Sequence, residues 1–574
     1  MARSSKLEQI QHLNSTHQHH KMVIHSTASH GASYLFGVID QAIWLLSQDP
    51  NLSEVEIILH PVGGLFTPRA LGGRVKARLK NTVKFLMANF LGVRTETTSQ
   101  DKDKIPSLYQ RVYEQRERVT LETSLGSISI YLAPNLLGND VSSWLRCYWQ
   151  AIQAWKQCYV NGDLAPQNLL SLKHRGVLIG DLIASTVLRS NPESGGSLLA
   201  CPKLALFRTL VTAVFINDYV WKHINGNLTN HCVTVPEPTY LHGIYKRVLH
   251  DRGGKVLEPH HYATEFKLIE PNKPLPNPQI AENSTTIQLS TFEKARSQTY
   301  LHERIHAPQK HLWYMFSGCN RTDNQLLNKD GMTIEIASGK LYAVVFLHSF
   351  DDGQYWYGVD GFDDIYHWTI FTIDNLLINS SVEKVLVKEH PNVNYSSYPG
   401  DKVAREKLQS RYTDHPKVGW LAKDCNPAAL SNSGCFIGIT HHGSIAEELT
   451  FVGIPVIASN LAPWGKAYQF AQTWDNPHDY QSLLQNLRLE TWTKPSETML
   501  EELYKYVLEY RLDVPSIHQR TTWMKYAEFL TGKVPKINSV EYASYTEKMA
   551  SLTCDDPQLI KFLNTLVKTD AHNY

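Results

Sequence analysis

The fold is decided by the stretch GITHHGSIAEELTFVGIPVIAS, residues 438–459. The apolar run 435–439 predicts a strand that ends in the polar loop 440–444. A helix is predicted over 445–452, and a second strand over 455–458. A strand, a helix and a second strand in so short a space are the repeating unit of a parallel sheet.

The turn that leads into this helix has the chemistry of a phosphate site. Gly443 allows a tight turn, and Ser444 with the amides after it lies at a helix N-terminus, where free N–H groups and the helix dipole favour phosphate. Glu447 and Glu448 point about 100° apart on the first turn. We expect one of them, with Glu448 favoured, to bind a ribose or sugar hydroxyl, while the other acts through the dipole. The alternative is an ordinary helix with a polar cap.

The same alternation of strands and helices runs through both halves of the chain. Apolar runs predict strands at 22–26, 55–60 and 127–132, and again at 341–347 and 385–387. This pattern is typical of an α/β protein with two Rossmann-like domains that face a cleft. We expect a flexible N-terminus at 1–20, a first domain at 21–325, a second domain at 326–490 and a helical tail at 491–574.

A second segment with binding chemistry follows the strand at 385–387. His390 and Pro391 stand just beyond its carboxyl end, where open α/β sheets place their ligands. An imidazole N–H can donate to a phosphate oxygen. A His-Pro pair alone is more often structural, but its position upstream of the loop 440–444 favours binding.

These segments resemble a known group of enzymes. The stretch 438–459 is similar to the donor-binding segment of GT-B glycosyltransferases, and also to that of nucleotide-sugar 2-epimerases. With His390 and Pro391 upstream, it resembles the nucleotide-binding half of bacterial capsule, teichoic-acid and sialic-acid-type transferases. The segments 174–189 and 240–247 resemble those of bacterial surface-polysaccharide proteins.

The resemblance implies a GT-B glycosyltransferase that moves a sugar from a nucleotide-activated donor to a glycan or glycolipid acceptor in surface polysaccharide synthesis. It implies that the donor is bound by His390, Pro391, His441, His442, Gly443, Ser444, Ile445, Glu447 and Glu448. The nucleotide sugar is then a substrate, so no separate cofactor is expected. Amides and imidazoles would hold its phosphates without a metal ion. The Asp101-Lys-Asp103 match to a metal motif lacks a preceding apolar strand, which favours a loop.

Two other functions stay open. A nucleotide-sugar 2-epimerase would share the stretch 438–459, but this chain is long and its first strand lacks the Gly-Thr-Arg-Pro-Glu turn of those enzymes. A non-catalytic glycan- or nucleotide-binding protein is the other alternative, and the complete donor segment argues against a decayed site.

Four residues are candidates for catalysis. Asp351 and Asp352 follow the strand at 341–347 and could supply the base for an acceptor hydroxyl, or could form a solvated turn. His30, in the polar loop after the first strand, is a rival base or an ordinary loop histidine. Asp181 lies in an apolar run and needs a partner. Arg189, two helical turns on, would make it half of a structural ion pair. The aromatic and acidic run 356–368 could line an acceptor site or pack as a loop.

The composition of the 574 residues excludes several classes of protein. The net charge is +1, from 56 basic and 55 acidic residues, which gives no general field for nucleic acid. Eight cysteines contain no C-x-x-C pair, so neither a zinc site nor a disulfide framework is expected. The first twenty residues lack the apolar core of a secretory signal, and no apolar run of about 18 residues stands out. These features predict a cytoplasmic protein, with at most a peripheral membrane contact.

Overall fold

The computed structural model is an α/β protein whose strands form two large sheets, which confirms the predicted fold class. It describes residues 21–27, 32–60, 107–133, 141–259, 266–275, 288–306, 326–390, 399–512 and 551–562, apart from 109, 225, 236–237, 274, 423–424 and 553–555, together with 529 and 532.

The first sheet comes from the first half of the chain. The strands there are β1 (Lys21–Thr27), β2 (Glu54–His60), β3 (Val119–Glu122), β4 (Ser127–Leu132), β5 (Tyr159–Val160), β6 (Asp163–Leu164), β7 (Lys173–His174), β8 (Val177–Leu178), β9 (His231–Val233), β10 (Lys255–Pro259) and β11 (Phe266–Ile269). The sheet order is β11-β10-β9-β1-β2-β4-β3, while β5 pairs with β6 and β7 with β8. From β10 to β4 the neighbours are parallel, and the edge strands β3 and β11 are antiparallel.

The second sheet is parallel throughout. Its strands are β12 (Leu341–Phe346), β13 (Val382–Lys388), β14 (Val418–Trp420), β15 (Cys435–Ile439), β16 (Val456–Ser459) and β17 (Gln472–Trp474). They lie in the order β14-β13-β12-β15-β16-β17. Every residue of β12 is buried, because helices cover both faces of a parallel sheet.

Helices connect the strands in both units. They are α1 (Ala32–Gln48), α2 (Val141–Gln157), α3 (Pro166–Leu170), α4 (Gly180–Ser190), α5 (Lys203–His223), α6 (Gly243–Asp251), α7 (Thr291–His306), α8 (Ile365–Ile378), α9 (Pro399–Tyr412), α10 (Pro427–Ser431), α11 (Ile445–Phe451), α12 (Pro477–Gln485) and α13 (Glu497–Val507). Helix α8 begins where the Asp364 carboxylate accepts the N–H of His367 at 2.7 Å, as an N-cap residue does.

Among the described helices, α5 has the length and composition of a membrane span. In its most apolar 18-residue window, 67% is buried inside the protein. This degree of burial is typical of a core helix, and α5 packs against α2, α4 and α6.

The two sheet-containing units share a continuous apolar core rather than meeting through a polar surface. One cluster of buried side chains runs from α2 and α5 to the strands β12 and β13. The segment 192–200 joins the units: the Leu198 N–H donates to Asp364 at 2.9 Å, and Lys407 donates to the Ser194 carbonyl at 2.8 Å. Near the end of the chain, Leu552, Leu559 and Phe562 are buried in the core of the first sheet. These contacts hold the loop after β12 against the first half of the chain.

A substitution at Gly196 tests how tightly the two units pack at this junction. Gly196 has a φ of 75°, and a Cβ there would stand 2.4 Å from the Phe350 Cβ. Gly162 is a matched control, because its φ is 89° but nothing lies within 4 Å of the position that a Cβ would take there. Both Gly→Ala changes destabilise the protein because alanine is strained in a left-handed backbone. Gly196→Ala should cost about 1–3 kcal/mol more, because its methyl group would overlap Phe350. We expect the thermal unfolding midpoint to fall further for Gly196→Ala; equal midpoints would show that the junction tolerates the added methyl group.

Candidate functional site

Three histidines meet at the carboxyl edge of the second sheet. Phe346 pairs with Lys388, and Val345 pairs with Ile439. Continuing this register beyond the strand ends places His348 beside His390, which follows β13, and beside His442, which follows β15. The rings of His348 and His442 lie 4.3 Å apart. This edge is where open α/β sheets bind their ligands.

The orientation of His348 is fixed by the loop 440–444. Its Nε2 accepts the backbone N–H of His441 at 3.0 Å and lies 3.0 Å from the Thr440 hydroxyl. Because Nε2 is an acceptor, the single proton of the neutral ring is on Nδ1. Burial, with His442 and His390 nearby, holds the pKa of His348 well below its usual range. His348 is therefore a neutral donor at this edge. His348 was not among the residues predicted to form the site, although it directly follows the strand predicted at 341–347.

The turn at Gly443 depends on space rather than on backbone conformation. A Cβ at Gly443 would lie 2.6 Å from the Thr440 hydroxyl and 3.2 Å from the His348 ring. The Gly443 N–H donates to the same Thr440 hydroxyl at 3.2 Å. A larger residue would therefore push the loop away from His348.

A narrow pocket, with no room for a water molecule in this structure, lies beside these histidines. It is lined by Leu347, His348, Phe350, Glu389, His390, Asp401 and Arg405. Burial and the neighbouring Lys388 lower the pKa of His390 to about 4. Arg405 lies 3.4 Å from Glu389, so the pocket combines neutral imidazoles with a guanidinium group and carboxyl groups. Pro391 lies outside the described residues.

The acidic pair after β12 is divided between two structural roles. Asp351 is buried and accepts the Gly400 N–H at 2.8 Å, while Asp401 accepts the Ser349 hydroxyl at 2.8 Å. Burial and the nearby Asp351 raise the pKa of the Asp401 carboxyl to about 8. Asp352 is exposed and accepts the Tyr240 hydroxyl at 2.8 Å. Asp351 thus fixes the loop to α9 through this hydrogen bond, and its buried carboxylate is not exposed to accept a proton from an acceptor hydroxyl.

The paired acids on α11 have partners that the sequence analysis did not foresee. Arg304 donates to the Ser444 hydroxyl at 2.9 Å and to Glu448 at 3.1 Å. Arg511 donates to Glu447 at 2.6 Å. Both carboxylates are buried. Both carboxylates neutralise arginines from α7 and from the segment after α13. That one of them also binds a ligand hydroxyl stays a prediction.

The partner of Asp181 also differs from the expected one. Arg247 grips Asp181 through two bonds of 2.6 Å, whereas Arg189 lies 3.7 Å from Asp351. The ion pair is structural, but Arg189 was the wrong partner. Asp181 and Arg189 both lie on α4, whereas Arg247 reaches Asp181 from the neighbouring helix α6. His30 lies outside the described residues, as do Asp101 and Asp103. Among the described residues, no group of three or more His, Cys, Asp or Glu side chains is arranged to hold a metal ion.

The sequence matches no protein-family model and no curated protein. Among solved structures, the chain is similar to Thermosulfurimonas dismutans KpsC, a beta Kdo 2,4 transferase, with 12% identity over 48% of this chain and 84% of that one and a TM-score of 0.26. It is also similar to the UDP-forming alpha,alpha-trehalose-phosphate synthase of Burkholderia vietnamiensis, with 10% identity over 86% and 97% and a TM-score of 0.29.

These neighbours are GT-B glycosyltransferases. They belong to the class of enzyme that the sequence motifs resemble. At TM-scores below 0.5, they assign neither a substrate nor a role of any residue to this chain.

The arginine network predicts a large loss of stability. Arg304→Ala leaves buried Glu447 and Glu448 without their shared partner, which costs about 3–5 kcal/mol. Arg411→Ala is the control, since Arg411 pairs with Asp374 on the surface, with side chains 49% and 42% exposed, where a pair is worth about 0–1 kcal/mol. Urea unfolding followed by tryptophan fluorescence measures both. Similar midpoints for the two variants would contradict the account of the network.

His390 predicts how stability depends on pH. Its pKa is about 4 in the folded protein and about 6.5 in the unfolded chain. Between these values only the unfolded chain binds the proton, so acidification destabilises the fold by at most about 1.4 kcal/mol per pH unit. We expect His390→Gln to flatten the fall in stability from pH 6 to pH 4. His478→Gln, at a side chain 87% exposed, should leave the slope of the wild type unchanged. A steeper slope for His390→Gln would reverse the assignment.

Proposed function

We propose that this chain is a glycosyltransferase that binds a nucleotide-activated sugar at the carboxyl edge of the second sheet. The observation that carries the proposal is the convergence of His348, His390 and the loop 440–444 on one edge of a wholly parallel sheet. Nucleotide ligands of open α/β sheets bind at this edge.

The chemistry of this edge suits a diphosphate. His348 offers an N–H from Nδ1 because its Nε2 is already an acceptor. His390 lines the adjacent pocket as a neutral imidazole. Donors held in place before the ligand arrives stabilise a phosphate leaving group without reorganisation. We propose that these donors act without a metal ion.

The acceptor is proposed to approach from the side of the first unit. The loop after β12 faces that unit through Asp352 and Tyr240, and the segment 192–200 adjoins the same loop. A glycan acceptor in surface polysaccharide synthesis is the substrate class that the sequence resemblance favours, and we propose that the reaction takes place in the cytoplasm.

The first experiment identifies the nucleotide. Thermal unfolding is recorded with CMP, CDP, UDP and GDP, each with and without EDTA, because a ligand that binds the folded state raises its apparent stability. We then expect His390→Ala to reduce the binding free energy of the nucleotide that stabilises the protein by about 1.5–3 kcal/mol, because one hydrogen bond to a charged phosphate is lost. Calorimetric titration of the folded variant measures this, with His478→Ala as the control. Unchanged affinity in His390→Ala would remove His390 from the site.

We also propose a peripheral membrane contact through α2. Leu145 and Trp149 are 57% and 61% exposed, one helical turn apart, beside Arg146, whose side chain is 51% exposed. Exposed tryptophan and leucine flanked by basic residues favour the interface of an anionic membrane. Sedimentation with anionic phospholipid vesicles should pull down the wild type more than Trp149→Ser. Equal sedimentation of the two would rule out this surface.

A further inference from the structure

Asp360 is an unusual residue in the loop between β12 and α8. It has a left-handed backbone, with a φ of 48°, although it is not glycine. A non-glycine residue in this conformation stores strain that neighbouring contacts must offset. Its carboxylate is buried and accepts the hydroxyl of Ser459 at the end of β16. Burial raises the pKa of this carboxyl to about 6, whereas the hydrogen bond from Ser459 favours its charged form.

This carboxylate faces the buried ring of His441. The Asp360 Oδ2 lies 3.6 Å from the His441 Nε2. The ring is enclosed by Trp368 and Trp474, whose ring centres lie 5.4 and 5.9 Å from it. A lone pair on Nε2 would be repelled by the carboxylate, whereas an N–H is attracted to it. The proton of neutral His441 is therefore on Nε2, and its Nδ1 is an acceptor.

The tautomer of His441 determines that of His442. The two Nδ1 atoms lie 3.0 Å apart, and a hydrogen bond between them holds one proton. Because the His441 Nδ1 accepts, the His442 Nδ1 must donate. Burial holds the pKa of both rings well below the usual range, so each carries a single proton. This leaves a lone pair on the His442 Nε2.

We propose that Asp360 is a positioning residue that makes the His442 Nε2 a hydrogen-bond acceptor, so that His442 selects a hydroxyl group of the ligand and not a phosphate oxygen. The identity of the ligand rests on the proposed function, but the tautomer does not. His348, with its N–H on Nδ1, and His442, with its lone pair on Nε2, are then complementary: one donates to phosphate and the other accepts from ribose or sugar. The sequence analysis placed both His441 and His442 among the residues expected to bind the donor, without separate roles.

The tautomer is measured directly by nitrogen NMR of the full chain labelled with ¹⁵N-histidine. The signals of His442 are assigned by their loss in His442→Gln. We expect a protonated Nδ1 and an unprotonated Nε2 on His442 in the wild type. A protonated Nε2 on His442 in the wild-type spectrum would overturn the proposal.

The role of Asp360 is tested in the same spectra. Asp360→Asn removes the charge while keeping the shape, so a population of His442 with its proton on Nε2 should appear. Asp374→Asn, at an exposed carboxylate on α8 outside this chain of contacts, should leave the His442 signals in place. An unchanged tautomer in Asp360→Asn would show that another group positions His442.

The preference for a hydroxyl is tested by comparing ligands. His442→Leu should lower the affinity for UDP or CMP by about tenfold, which is the contribution of one buried hydrogen bond. The affinity for inorganic pyrophosphate should stay unchanged. Equal losses for the nucleotide and for pyrophosphate would assign His442 to phosphate and overturn the proposal. If the wild type binds none of them, the proposed function fails, and the NMR result alone decides whether Asp360 positions His442.

Discussion

The candidate site depends on the parallel register that joins β12 to β13 on one side and to β15 on the other. A shift of one residue would turn the side chains beyond each strand to the opposite face. The observed register instead brings His348, His390 and His442 together, from three segments that are distant in sequence. No single loop could supply this set, because the three side chains approach from adjacent strand ends.

Buried ion pairs on the helix that follows it fix the position of the loop that carries His442. Arg304 and Arg511 neutralise the two buried acids of α11, and Arg304 also binds Ser444 at the start of that helix. Buried carboxylates lose their water, so they persist only with close partners of opposite charge. The short helix is thereby fixed to α7 and to the segment after α13. A loop fixed in this way can keep its donors and acceptors aligned before a ligand binds.

The sequence allowed most of the second sheet to be predicted, and part of the site. The strands at 341–347, 385–387, 435–439 and 455–458 were recognisable because buried parallel strands are continuous apolar runs. His390 and the loop 440–444 followed from their places at strand ends.

The partners of the charged residues could not be predicted in the same way. Glu448 meets Arg304 across 144 positions, and Asp181 meets Arg247 across 66, and no local pattern records such pairs. Asp360 stands in a loop that the sequence analysis noted for its aromatic residues. The sequence signal of a constrained loop was the pair of glycines at 358 and 361 on either side of Asp360, both of which have positive φ in the structure.

The central claim is that a nucleotide binds where β12, β13 and β15 end. Hydrogen–deuterium exchange of the full chain, with and without the nucleotide that stabilises it, tests this claim most directly, since bound amides exchange more slowly. We expect new protection in peptides that cover 347–350, 388–390 and 440–446, with little change in β1 and β2. Protection confined to the first sheet, or no protection with CMP, CDP, UDP or GDP, would contradict it.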